Sequence, residues 1–192
     1  MNRSGVLRVL FDQDEIAGAL GRMAQEIARD YRGRPLLVLG VLKGALYVTA
    51  DLIRAIAAVP DGPSAIEVDF LVVSSYGNAT RSSGEVRLLK DTAANITGRN
   101  VLVVEDIIDN GLTLQYLRAL LGGRGPLTLR SCVLFDKPYH RVVNVPVEYV
   151  GLKAPDEFVV GYGLDYRESY RNLPFLGQLE PWAFAASGPV QK

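Results

Sequence analysis

Residues 35–42, Pro-Leu-Leu-Val-Leu-Gly-Val-Leu, form an apolar run that contains no charged residue and is followed by Lys43. The run has the length of a strand and is far too short to cross a bilayer. Since it does not alternate between apolar and polar side chains, it predicts a strand that is covered on both faces. Such strands are typical of parallel sheets with helices on either side.

Segments with helical periodicity alternate with strand-like runs along the chain. Asp12 and Glu15 form a capping-box pattern at the start of a first helix, a second helix is predicted over residues 45–58, and a third ends at Gly122. The predicted strands comprise residues 35–42, 66–73, 100–104, 127–135, 147–150 and 158–162. This order predicts an α/β fold with a mostly parallel twisted sheet flanked by helices, and ligands beyond the carboxyl ends of its strands.

The length of the chain indicates how many domains it has, and its charge argues against some classes of partner. Its 192 residues favour a single domain, residues 1–192, in which residues 179–192 form a C-terminal tail that we expect to be flexible. The 21 basic and 21 acidic residues leave no net charge, which argues against a nucleic-acid or membrane-surface partner. No apolar stretch approaches the roughly 20 residues of a membrane span, and we expect a cytoplasmic protein.

The most informative segment is residues 101–114, where a buried strand ends in acidic residues. Glu105 and Asp106 follow the apolar residues directly, and Asp109 precedes a glycine and a threonine at the start of a helix. Backbone N–H groups, a glycine and a hydroxyl at a helix N-terminus favour anion binding. Carboxylates beside an anion need hydroxyl groups or a divalent cation between them. A sugar phosphate that carries a diphosphate at another carbon, bound with Mg²⁺, supplies both.

A simpler interpretation exists for each of these acids taken alone. Asp109 alone is typical of a helix cap, and Glu105 and Asp106 alone are typical of solvated strand ends. Three acids at the end of one buried strand, next to an anion-binding turn, favour a functional site instead. The segment has neither the lysine and spacing of a P-loop nor the glycine pattern of a dinucleotide-binding fold.

Residues 101–114 resemble the phosphoribosyl-diphosphate motif of the hypoxanthine-guanine phosphoribosyltransferases of purine salvage, in their bacterial form. Further matches lie in order along nearly the whole chain, from about Asp12 to Gly177. They comprise residues 41–46, Ser75-Tyr76, residues 136–138 with Arg141, residues 155–166 and residues 170–174. The acidic motif alone indicates a phosphoribosyltransferase, and the later segments indicate one that acts on 6-oxopurines.

The resemblance implies transfer of a 5-phosphoribosyl group from 5-phosphoribosyl 1-diphosphate to hypoxanthine or guanine, with release of pyrophosphate. It implies the type I phosphoribosyltransferase fold with a small hood and a flexible lid loop that contains Ser75 and Tyr76. It implies a cis peptide bond between Lys43 and Gly44. It also implies Mg²⁺ as cofactor, small-molecule substrates as partners, and a homodimer or homotetramer as the assembly.

Each matched segment implies roles for its residues. Asp109 is the candidate catalytic base for the purine ring nitrogen. The candidates for binding the donor are Lys43, Gly44, Glu105, Asp106, Asp109, Asn110, Gly111, Leu112, Thr113 and Arg171. The candidates for binding the purine are Lys137, Phe158, Val159 and Asp165, and the candidates for binding the metal are Asp165 and Glu105. Lys137 would donate to the 6-oxo group and thereby reject a 6-amino purine.

Some positions leave alternatives open. Asn110 stands where the family usually has Thr or Ser, and Leu112 is uncharged where some relatives have Lys, so both affect donor affinity more than reaction type. Lys43 taken alone is also typical of a surface lysine, and Phe158 of a core aromatic in a strand. The alternative function is a regulator of the same fold that senses phosphoribosyl diphosphate and binds nucleic acid. A basic face or an added helix-turn-helix segment, expected of such a regulator, is not evident in the sequence.

Overall fold

The computed structural model describes residues 6–78 and 81–180, with side chains except at residues 6, 7, 75–78 and 81–85. The strands of a six-stranded sheet are, from edge to edge, β4 (Arg81–Lys90), β3 (Ala65–Asn78), β2 (Pro35–Leu42), β5 (Asn100–Ile108), β6 (Thr128–Asp136) and β7 (Tyr149–Lys153). β4 is antiparallel to β3, and the other neighbours are parallel. A smaller antiparallel sheet contains β1 (Val6–Phe11), β9 (Leu176–Leu179) and β8 (Val159–Val160).

Within residues 6–78 and 81–180, three α-helices cover the six-stranded sheet. They are α1 (Gln13–Asp30), α2 (Leu46–Ala57) and α3 (Leu112–Gly122). The capping box at the start of α1 is confirmed: Asp12 Oδ1 accepts from the N–H of Glu15 at 2.9 Å, and Glu15 Oε2 accepts from the N–H of Asp12 at 2.9 Å. These two bonds satisfy N–H groups that have no partner within the helix.

The apolar run of β2 is buried on both faces, as its sequence predicts. Val38 packs in one core cluster with α1 and α2, whereas Leu37 and Leu39 pack in a second cluster with α3. Alternate side chains of a strand point to opposite faces of the sheet, so each face of β2 contributes to a different core. The α/β class with a mostly parallel sheet is confirmed, and the smaller sheet forms the hood.

Several elements differ from the prediction. The loop predicted over residues 74–91 is wrong over most of its length, since β3 continues to Asn78 and β4 pairs with it as a hairpin. The two strands β1 and β9 were not predicted, because each is short and is stabilised by pairing with the other. Leu179, assigned to the tail, lies in β9 and is buried, while residues 181–192 lie outside the described residues.

The central strand β5 is longer than predicted. It pairs with β6 as far as Ile108 opposite Asp136, so Glu105 and Asp106 lie within the strand and not after its end. Pairing with a long neighbour extends a strand past the point where its apolar residues stop. Over residues 6–78 and 81–180, no helix is long and apolar enough to span a membrane.

Candidate active site

A cleft of about 290 Å³ lies where β2 and β5 end and α3 begins. Parallel strands bring their carboxyl ends to one edge of the sheet, where ligands bind in folds of this class. Several residues predicted to bind the donor line this cleft: Gly44, Glu105, Asp106, Asp109, Asn110, Gly111 and Thr113. The structure therefore brings together residues that are up to 69 positions apart in the sequence, from Gly44 to Thr113.

A second, larger cleft of about 420 Å³ lies between α1, α2 and residues 172–174. Its walls are mostly apolar, and its one carboxylate, Asp51, accepts a hydrogen bond from Tyr162 Oη and pairs with Arg54. This cleft lacks the group of three acidic side chains, Glu105, Asp106 and Asp109, that lines the smaller cleft. The chemistry is therefore assigned to the smaller cleft.

Two acidic side chains form the floor of the smaller cleft. Glu105 is 6% exposed, and burial raises its pKa to about 8, with a further upward contribution from Asp106. Burial also raises the pKa of Asp106 to about 6, although the N–H of Ile107 donates to Asp106 Oδ1 at 2.9 Å and opposes this shift. Glu105 is buried and Asp106 is half-buried, so water solvates the pair poorly, and a cation or hydroxyl donors placed beside it stabilise the charged forms.

Gly44 lies directly against this acidic pair. A Cβ atom at Gly44 would come within 1.8 Å of Asp106 Oδ2, and one at Gly163 would come within 1.9 Å of the Gly44 carbonyl oxygen. Gly163 also has a φ of 102°, which favours glycine. The segment between β8 and β9 therefore contacts the loop after β2. The cis peptide bond of this loop joins Leu42 to Lys43, one residue earlier than the resemblance implied.

The turn before α3 is open toward the cleft. Gly111 is the N-cap of α3 with a φ of 87°, so the cap residue itself supplies no side chain. The first N–H groups of such a helix favour an anion. Asn110 Oδ1 accepts from the N–H of Leu112 at 3.0 Å, so a phosphate at this turn competes with the Asn110 side chain for that donor. Asn110 and Leu112, the two residues that depart from the family pattern, thus contact each other.

Asp109 follows β5 at the mouth of the turn. Within the described part of the chain, its buried Oδ1 has no hydrogen-bond partner. Its carbonyl oxygen accepts from Arg141 Nε at 2.8 Å, and Arg141 also donates to Asp136. Arg141 therefore fixes the backbone of Asp109 while the carboxylate stays available for a ligand. The sequence placed Arg141 in a matched segment but assigned it no role.

The predicted purine-binding residues lie at the junction of the two sheets. Lys137 donates its N–H to the carbonyl oxygen of Ile108 at 2.9 Å, next to Asp109, and its Nζ donates to the Glu157 carbonyl at 3.0 Å. Phe158 is 41% exposed, which excludes the alternative of a core aromatic. Val159 begins β8 and is 8% exposed.

Lys43, Asp165 and Arg171 meet beside Gly44 and Gly163. Arg171 Nη1 donates to the Gly163 carbonyl at 2.7 Å, and Arg171 Nη2 lies 2.7 Å from Asp165 Oδ1. Lys43 Nζ contacts a residue that the sequence did not single out, Glu168, at 3.0 Å. The position of Glu168 between two matched segments, residues 155–166 and 170–174, was the one available signal.

The predicted lid lies at the end of β3. The backbones of Ser75 and Tyr76 pair with Val86 and Glu85 of β4. The side chains of Ser75 and Tyr76 lie outside the described residues, so their role as a lid stays a prediction.

A family model for the phosphoribosyl transferase domain matches residues 9–167. The hypoxanthine-guanine phosphoribosyltransferase of Streptococcus thermophilus (strain CNRZ 1066) is 46% identical over 180 residues, which cover 94% of this chain and 97% of that protein. The bifunctional protein TilS/HprT of Listeria monocytogenes serotype 4b (strain F2365) is 47% identical over 176 residues, which cover 92% of this chain. The matched part is 26% of that longer protein.

Solved structures agree with the sequence relatives. A hypoxanthine phosphoribosyltransferase from Staphylococcus aureus superposes with a TM-score of 0.87 at 40% identity, covering 96% of this chain and 98% of that chain. Both the sequence and the fold thus match over nearly the whole length. The chain belongs to the phosphoribosyltransferase family and, within it, to the hypoxanthine-guanine phosphoribosyltransferases.

Proposed function

We propose that the chain transfers the 5-phosphoribosyl group of 5-phosphoribosyl 1-diphosphate to a 6-oxopurine, hypoxanthine or guanine. The products are IMP or GMP and pyrophosphate, as in purine salvage. The observation that carries this proposal is the acidic pair of buried Glu105 and half-buried Asp106, in one cleft with the N-terminus of α3. A regulator that binds nucleic acid finds no support among the relatives described above, which carry the names of enzymes.

The donor is bound by the strand end and the turn before α3. The 5-phosphate accepts hydrogen bonds from N–H groups of residues 109–113, and the ribose hydroxyls donate to Glu105 and Asp106. As pyrophosphate leaves, positive charge develops on the ribose ring. The two carboxylates stabilise this charge more strongly than they would in water, because the cleft is partly closed to solvent.

The purine is bound between the two sheets. Lys137 donates to the 6-oxo group, and Phe158, which is 41% exposed, stacks on the base. The backbone of Val159 contacts the edge of the purine. Asp109, whose Oδ1 has no partner among the described side chains, takes the proton from the ring nitrogen that attacks the ribose.

Mg²⁺ fits the donor set of this cleft. In the described residues, no three His, Cys, Asp or Glu side chains form a cluster of metal ligands. Mg²⁺ takes one or two carboxylates and completes its shell with substrate phosphates and water. Asp165 and Glu105 are the residues that would hold it, and a cation beside Glu105 would favour the charged form of this carboxyl, whose pKa burial raises to about 8. When bound, Mg²⁺ neutralises the charge of the departing diphosphate.

We further propose a single phosphoribosyltransferase domain, assembled as a homodimer or homotetramer, that works in the cytoplasm. A single domain is supported by two comparisons. The family model matches residues 9–167, and the match to the Streptococcus thermophilus relative covers 97% of that protein. Light scattering coupled to size-exclusion chromatography measures the assembly directly.

A direct assay tests the reaction. The protein is incubated with the donor, Mg²⁺ and one base at a time: hypoxanthine, guanine, xanthine or adenine. Chromatography then detects any nucleoside monophosphate. We expect product with hypoxanthine or guanine and none with adenine, since the Lys137 ammonium cannot accept from a 6-amino group. The absence of product with every 6-oxopurine, combined with tight binding to RNA, would favour the regulator.

A further inference from the structure

Glu168 lies between Lys43 and Arg171, two cations that the resemblance assigns to binding of the phosphoribosyl diphosphate donor. Its Oε2 is 3.0 Å from Lys43 Nζ and 3.4 Å from Arg171 Nη2. One carboxylate oxygen therefore contacts both cations, which is the arrangement expected of a diphosphate oxygen. The hydrogen bond from Lys43 lowers the pKa of Glu168, so this carboxylate is charged at neutral pH.

The contact between Lys43 and Glu168 is open to solvent. The two side chains are 66% and 65% exposed, and exposed ion pairs contribute little to the stability of a fold. A more highly charged anion, such as a diphosphate, therefore displaces the carboxylate without disturbing the fold. The pair is better suited to reversible exchange than to structural support.

The backbone at Glu168 adopts a conformation that is unusual for a long side chain. Tyr166 and Ser169 exchange two backbone hydrogen bonds, at 3.1 and 3.0 Å, around Arg167 and Glu168. The φ values of Arg167 and Glu168 are 51° and 62°, as in a type I′ turn, where Asn-Gly is favoured. Asp165 Oδ2 accepts from the N–H of Glu168 at 2.8 Å and helps to hold the turn. Strain of this kind, retained beside an active site, points to a function.

We propose that Glu168 is an internal competitor of the diphosphate. Its carboxylate pairs with Lys43 and Arg171, gives way when the diphosphate binds, and pairs with them again as pyrophosphate leaves. This inference rests on the proposed function. It goes beyond that function because Glu168 weakens the binding of the donor and of the product and thereby speeds product release.

Replacement of Glu168 by Gln tests the proposal, since Gln keeps the shape of the side chain and removes its charge. The dissociation constant of inorganic pyrophosphate is measured calorimetrically in the presence of Mg²⁺, and the KM of the donor is measured by assay. We expect the dissociation constant of pyrophosphate and the KM of the donor each to fall about two- to fivefold in E168Q. Pyrophosphate should also inhibit E168Q more strongly as a product.

The matched control is Glu67→Gln. Glu67 is also an exposed glutamate in an ion pair, with Arg99 at 2.7 Å, but it lies near the start of β3, away from the cleft. We expect this variant to bind pyrophosphate as the wild type does. A thermal melt of each variant verifies that it is folded.

The direction in which pyrophosphate affinity changes in E168Q separates the possible outcomes. If Glu168 positions Lys43 and Arg171 for the diphosphate, E168Q binds pyrophosphate more weakly, and the proposal is overturned. Unchanged binding overturns it as well. Failure of the proposed function is recognised separately, because it is a failure of the wild-type chain to form any nucleotide from a 6-oxopurine.

Discussion

The acidic pair lies in close contact with Gly44, which in turn contacts Gly163, and neither glycine has room for a side chain of its own. Asp106 Oδ2 occupies the space that a side chain at Gly44 would need, and the Gly44 carbonyl occupies the space that one at Gly163 would need. Three segments that are distant in the sequence therefore meet at van der Waals distance. The lack of a side chain at Gly44 and Gly163 is as much a part of the site as the carboxylates are.

Replacement of Gly44 by Ala should disrupt this contact. A Cβ atom 1.8 Å from Asp106 Oδ2 forces either the carboxylate or the loop to move. We expect a loss of about 1–3 kcal/mol in the free energy of unfolding and a KM for the donor that rises about tenfold. Gly21→Ala is the control, because nothing lies within 4 Å of its Cβ and alanine favours the helix. Urea unfolding and steady-state kinetics measure both variants.

Replacement of Asp109 by Asn tests its role as the base. The amide has nearly the same shape as the carboxylate but does not accept a proton at neutral pH. We expect the KM of the donor to stay within a factor of two and kcat to fall about 10²-fold or more. Steady-state kinetics with hypoxanthine measure both constants. An unchanged kcat would remove Asp109 from this role.

Among the elements, those defined by a local pattern could be predicted from the sequence. The capping box marks the start of α1, and the unbroken apolar run marks β2. The hairpin of β3 and β4 could not be predicted, because its Gly- and Ser-rich residues have low strand propensity and pair through tertiary structure. Glu168 was missed for a similar reason, since a charged residue in an exposed turn has no local signature.

The segment that connects β4 to β5 is held by one carboxylate of β3. Asp69 Oδ2 accepts from Thr92 Oγ1 and from the N–H groups of Ala93 and Ala94, at 2.7 and 3.3 Å. The hydrogen bond from the Thr92 hydroxyl is the main cause that holds the pKa of Asp69 well below its ordinary value of 3.8, and the backbone N–H groups add to it. The charged form therefore stabilises the native state.

Asp69→Asn should reduce stability in a pH-dependent way. At neutral pH we expect a loss of about 1–3 kcal/mol in the free energy of unfolding. Because the pKa is lower in the folded state, the contribution of Asp69 is complete above its unfolded pKa of 3.8 and is lost as the pH falls below that value. The difference between variant and wild type should thus shrink in urea titrations at acidic pH. Asp61→Asn, an exposed loop position, should change stability by less than about 0.5 kcal/mol at either pH.

Across the whole molecule, the proposed contacts divide the substrates between the two sheets. The contacts proposed for the 5-phosphate and the ribose come from β5 and the turn before α3, within the larger sheet. The contacts proposed for the purine come from both sheets, since Lys137 follows β6 whereas Phe158 and Val159 lie at β8. The position of the smaller sheet therefore matters more for the purine than for the phosphate end of the donor.

The stack of Phe11 on Phe135 joins the two sheets. Its removal tests whether the smaller sheet matters more for the purine than for the donor. Phe11 belongs to β1 and Phe135 to β6, with ring centroids 6.1 Å apart and planes at 10°. We expect Phe11→Ala to lower the free energy of unfolding by about 2–4 kcal/mol. The KM for hypoxanthine should rise about fivefold, more than the KM for the donor. Leu127→Ala, which truncates a side chain that is 66% exposed, should change neither constant. An equal rise in both constants for Phe11→Ala would show that the smaller sheet positions the whole substrate pair.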